Sequence, residues 1–110
     1  MDKETIDKGR SIAITSYILI VGVLIALSIN SENKNQFASF HIRQGLGLTL
    51  TLTFIVLGVS ISSFESIMVA APMWVFISIL TIYGIFTAAK GETTPLPLLG
   101  GLFQKWFKNL

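Results

Sequence analysis

Residues 66–89, SIMVAAPMWVFISILTIYGIFTAA, run for 24 positions without a formal charge. At about 1.5 Å per helical residue, such a run reaches across a hydrocarbon core of roughly 30 Å. In lipid a helix satisfies its own backbone and can show apolar side chains on every side, which a small water-soluble domain seldom tolerates. The pattern recurs twice, with 21 uncharged residues between Arg10 and Glu32 and 21 between Arg43 and Glu65. Charged residues make up 13% of the chain, against about 25% in ordinary soluble domains. The expectation is an all-α integral membrane protein. It is read as one domain, residues 1–110, with three spans at 11–30, 44–64 and 66–89 and an amphipathic interfacial helix at 97–110.

Local chemistry refines that plan. Asp2 is a suitable N-cap for a helix in the leader MDKETIDKGR, whose three acids and three bases are unlike the basic start of a cleavable signal. In the first span, Gly22 and Ala26 have the small-xxx-small spacing that lets helices approach closely. Asn35 can cap a helix that begins before the membrane, so Phe37, Phe40, His41 and Gln44, at i, i+3, i+4 and i+7, share a face in the headgroup layer. Gly45, Thr49 and Thr53 form a second packing stripe, and Gly84 belongs to a third. A short turn, SSFES, carries Glu65. Pro72 either kinks the last span or sits at its first turn.

The tail breaks at Pro95 and Pro97 and then changes character. Leu99, Leu102, Phe103, Trp106, Phe107 and Leu110 fall on one side, with Gln104, Lys105, Lys108 and Asn109 on the other. A helix of this kind is too short to span and suits the membrane surface, with Lys105 and Lys108 among the headgroups. A groove on a partner would take the same face. Three spans would put the leader, with Lys3, Lys8 and Arg10, opposite the tail side, which has Lys34, Arg43, Lys90, Lys105 and Lys108. Positive charge gathers on the cytoplasmic side, so the C-terminus is expected there and the N-terminus outside.

Little in the sequence points to an enzyme. His41 is the sole histidine, there is no cysteine, and no carboxylate lies inside a span, so neither a zinc site nor a buried proton path is expected. No cofactor is expected, and a net charge of +2 gives no grip on nucleic acid. One polar group gathers near the tail side of the membrane: Asn30, His41, Arg43, Gln44, Tyr83, Lys90 and Glu92. It is either a satisfied network that sets helix register, with Arg43 paired to Glu92, or a docking or headgroup site at His41, Arg43, Gln44, Lys90 and Glu92.

FASFHIRQGLGL and GIFTAAKGETTPLPLLGGLFQKWF carry a family resemblance. An aromatic-His-x-Arg-Gln start to a span (Phe40, His41, Arg43, Gln44), then a Lys90–Gly91 pair and a Pro97-x-x-Gly100 step, resemble the small bacterial "import component" proteins related to chloroplast Tic-twenty. The likeness also takes in SYILIVGVLIALSIN and covers residues 8–110. It implies a helical bundle in the bacterial cytoplasmic membrane with a role in protein import. The expected function is therefore that of a non-enzymatic accessory subunit whose partners are the lipid bilayer and other membrane proteins. The alternative is a homo-oligomeric channel for a small solute, lined by Thr49, Thr53, Ser78 and Thr81.

Overall fold

A computed structural model describes residues 1–18, 20–61 and 67–110. Every regular element in them is helical: α1 (Lys3–Thr15), α2 (Val21–Asn33), α3 (Gln36–Ile61), α4 (Ile67–Lys90) and α5 (Gly100–Trp106). Two stretches, Gln36–Ser60 in α3 and Met68–Lys90 in α4, are long and apolar enough to cross a membrane. The expected span at 11–30 is not a third. Its sequence is uncharged throughout, but the helix stops at Thr15 and restarts at Val21. The expected turn at SSFES, with Glu65 and the span ends at 64 and 66, lies outside the described residues.

The break turns the chain back on itself. Ile20 has φ 68° and ψ −80°, a left-handed turn geometry that a β-branched residue rarely adopts. Contacts to α3 then order the pieces. Asn35, which caps α3 through its side chain to the Ala38 N–H, also donates from Nδ2 to the Thr5 carbonyl at 2.9 Å. Farther along, Ile12, Ala26, Ala38 and Ile42 pack together, and the site where a Gly45 Cβ would stand is filled by the Ser16 carbonyl and Val23. At the tip, the Ile20 N–H reaches the Thr49 hydroxyl at 3.3 Å. So α1 ascends beside α3, α2 descends, and both ends of this hairpin lie beside the start of α3. Asn30 closes the foot: its amide donates to Ser39 Oγ at 2.9 Å and accepts from the Asn35 N–H.

That arrangement corrects the expected sidedness. The leader shares an end with the loop at residues 34–35, because Thr5 touches Asn35. It also shares that end with the segment after α4, because Ile6 and Arg10 close on Gly91. α4 runs back along α3, with Pro72 inside the helix rather than at its first turn. The core sits at this shared end and is built from Ala13, Tyr17, Phe37, Leu48, Ile77, Leu80, Ala88, Leu96 and Phe103. Away from it, α3 and α4 turn Phe54, Leu57, Met68, Trp74 and Ile79 outward. The molecule is 50 Å long and 23 × 21 Å across.

The strained turn makes a measurable difference. Releasing about 2 kcal/mol of backbone strain at Ile20, less about 1 kcal/mol for glycine's extra freedom in the unfolded chain, leaves Ile20→Gly about 1 kcal/mol more stable than the parent. Thermal unfolding in detergent micelles reads this as a raised midpoint.

Candidate functional site

The shared end contains a chain of buried polar groups. His41 and Gln44 lie three residues apart on α3, so they point from the same face, and both are fully buried. Tyr17 comes in from the end of α1, its ring lying over Gly84 of α4, where even a Cβ would collide with it. Gln44 Nε2 donates to the Tyr17 hydroxyl at 2.7 Å, and that hydroxyl lies 2.6 Å from His41 Nδ1. His41 Nε2 is 2.8 Å from the Glu92 carbonyl, and Gln44 Oε1 accepts the Leu96 N–H at 2.7 Å. A carbonyl only accepts, so Nε2 carries the proton and Nδ1 accepts from Tyr17. The order of donors is then fixed from Gln44 through Tyr17 to His41 to Glu92. Rings of Phe37, Phe40 and Tyr17 meet the imidazole edge-on at 4.8, 5.1 and 5.5 Å.

Chemically this is a clasp. It joins α1, α3 and the segment after α4, and it leaves no free lone pair or proton on His41 facing a cavity. Ser16 adds a link, its hydroxyl donating within 2.6 Å of the Ala13 carbonyl and 3.1 Å of the His41 carbonyl. Among the described residues no three His, Cys, Asp or Glu side chains stand close enough to hold a metal.

Arg43 faces another way and holds the tail. Its Nε donates to the Phe107 carbonyl at 3.2 Å, Nη1 to Gln104 Oε1 at 3.2 Å, and Nη2 to the carbonyls of Leu110 and Lys108 at 3.1 and 3.4 Å. Gln104 Nε2 in turn donates to the Phe40 carbonyl at 2.8 Å. Carbonyls of the chain just past α5 thus find a guanidinium. Glu92 is exposed and makes no ion pair with Arg43 among the described residues. Lys90 rests its Nζ 4.3 Å from the centre of the Phe86 ring. Of the five residues read as one polar group, then, His41 and Gln44 are enclosed, Arg43 binds the tail, and Lys90 and Glu92 are outside. Arg43→Ala and Glu92→Ala are expected to change unfolding free energy additively, to within about 0.5 kcal/mol in a double-mutant cycle.

The tail helix is shorter than its pattern suggests. Leu98 holds φ 68° in a tight turn closed by the Leu99 N–H on the Pro97 carbonyl at 2.8 Å, and α5 then covers seven residues rather than 97–110. Its apolar side is divided. Phe103 is buried over Gly47 of α3, Leu99 and Phe107 are half-buried on the core, and Leu102, Trp106 and Leu110 are exposed with Lys105 and Lys108. Part of the groove for this face is α3 itself.

The small-residue positions also separate. Gly22, Ala26, Gly45 and Gly84 stand where helices or turns touch, and Thr49 accepts the N–H at the hairpin tip. Thr53 is exposed and donates to the Thr49 carbonyl, and Ser78 and Thr81 bond the carbonyls of Trp74 and Ile77 in the same way. Ser16, Tyr17 and Leu96 were not singled out from the sequence. The signal was there for two of them: Ser16 and Tyr17 stand side by side as polar groups inside an apolar run.

Comparison with known proteins places the chain in a family. A model described as the magnetosome magnetite crystal formation protein family, MamF/MmsF, matches residues 8–103. No curated protein and no solved structure matches. The finding overturns the resemblance to Tic-twenty-like import components, since all but the last residues that carried it fall inside the matched stretch. Those residues, His41, Gln44 and Arg43 above all, make the internal bonds of this fold, and nothing in that bonding speaks for protein import.

Proposed function

The chain belongs to the MamF/MmsF magnetosome magnetite crystal formation family, and from that premise we propose that it is a non-enzymatic protein of the magnetosome membrane that takes part in forming the magnetite crystal. The observation that carries this reading is the extent of the match, which runs from within α1 into α5 and so takes in most of the hairpin, both long helices and the clasp. A multi-pass membrane placement is supported by the outward apolar surface of α3 and α4, where Phe54 is 73% and Met68 81% exposed. Lipid and other proteins of the same membrane are its expected partners. The satisfied bonding of His41 supports a structural rather than a catalytic use.

Sidedness follows from charge. All eight Lys and Arg residues belong to the leader, the loop before α3, the first turns of α3, the last residue of α4, or the tail. These segments gather at one end, so the positive-inside rule weighs eight against none and supports a cytoplasmic position for that end. The pore reading has less behind it, because Thr53, Ser78 and Thr81 spend their hydroxyls on their own helices.

The test is genetic. In the source cell, deletion of the gene should change the size or number of magnetite crystals seen by electron microscopy, and the intact gene should restore them. Unchanged crystals after deletion would sink the proposal.

A further inference from the structure

The α1–α2 hairpin rises into the apolar belt and leaves it on the same side. Two bonds set its depth, Asn30 to Ser39 at the foot and Ile20 to Thr49 at the tip. Ten residues of α3 separate Ser39 from Thr49, about 15 Å of rise, or half of a hydrocarbon core of roughly 30 Å. The outer side of α2 is apolar over that depth: Val21, Leu24, Ile25 and Ile29 are all exposed, Leu24 by 63%.

The turn at the tip suits lipid as well. The N–H groups of Ser16, Tyr17 and Ile18 bond the carbonyls of Ile12, Ile14 and Thr15, and that of Ile20 bonds Thr49. Non-helical backbone persists at membrane depth only where such partners are supplied. Below Thr49 the protein is four helices wide with α5 against its flank. Above Thr49 the described residues hold only α3 and α4. The cross-section therefore roughly halves from one leaflet to the other.

We infer that this chain is a wedge, its α1–α2 hairpin seated among the acyl chains of the leaflet at its basic end, and that it favours membranes convex on that side. The inference rests on the membrane placement proposed above. A leaflet that accepts four helices where its opposite accepts two gains area on one side only. Strongly curved vesicles supply that asymmetry and flat bilayers resist it.

Proteoliposomes of mixed size test this. Fluorescently labelled protein is reconstituted, the vesicles are fractionated by size, and protein per lipid is measured in vesicles of about 50 nm and about 400 nm. The expected result is at least about a twofold higher ratio in the small vesicles, with protease reaching the leader and tail from outside. Leu24→Gln with Ile25→Gln alters only exposed side chains and should bring the ratio to one. Equal ratios for the parent chain, or an enrichment that the double variant keeps in full, would overturn the wedge while leaving the membrane placement standing. A chain that floats with no vesicle at all would remove the placement and the wedge together.

Discussion

Gly45→Val is expected to push the α1–α2 hairpin off α3 and to cost about 3 kcal/mol, the upper part of the usual range for overpacking a tight contact. A Cβ at residue 45 would run into the Ser16 carbonyl, and its other neighbours would be the Ser16 carbonyl carbon and Val23. Two of these three atoms are backbone, so no rotamer change relieves the clash. The cost falls on the chain reversal between α1 and α2 and, through Tyr17, on the clasp. Gly58→Val is the matched control. Nothing lies within 4 Å of a Cβ there, and valine on that outward surface of α3 should shift the unfolding midpoint by less than about 0.5 kcal/mol. Equal losses at the two positions would show that helix propensity, and not the hairpin contact, governs both.

Tyr17→Phe should be nearly as damaging for the loss of one oxygen. The phenol hydroxyl is the middle link, so its removal leaves Gln44 Nε2 and His41 Nδ1 buried without that partner. Each stranded group costs about 1–3 kcal/mol, so a loss of about 3 kcal/mol is expected. Gln44→Leu strands the Leu96 N–H instead. The two changes share a bond, so the double variant should lose at least about 1 kcal/mol less than the sum of the singles. Simple additivity in a chemical-unfolding series in mixed micelles would refute the clasp as a unit.

Much of the fold was legible in the sequence, and the reasons differ by element. The uncharged stretches of α3 and α4 announced themselves because each is long enough to cross lipid. Asp2 and Asn35 were readable as caps, and both accept a backbone N–H, from Thr5 and Ala38 at 2.9 and 3.0 Å. The first apolar stretch misled for a physical reason. Hydropathy measures preference for lipid, and a hairpin of half depth satisfies that preference as well as a span does. What set them apart was Ser16–Tyr17 near the middle of the run, a hydroxyl and a phenol that a lipid-facing helix would have little use for. The site was half readable. His41 and Gln44 stood out by spacing, but their partners are Tyr17, just past α1, and backbone groups at Glu92 and Leu96, and no pattern of side chains reveals the backbone partners. The Arg43–Glu92 pair was proposed from charge alone, whereas the tail carbonyls compete for the guanidinium by geometry.

Side-specific labelling of single cysteines tests the returning hairpin most directly. The chain has no cysteine of its own, so Lys3→Cys, Ile18→Cys and Lys34→Cys each offer one thiol to a membrane-impermeant maleimide, applied to intact cells and to inside-out membrane vesicles. With the hairpin, Lys3→Cys and Lys34→Cys react from the same side, the cytoplasmic one, and Ile18→Cys reacts from neither. Labelling of Lys3→Cys and Lys34→Cys from opposite sides would mean that residues 11–30 cross the membrane after all, and the hairpin would be wrong.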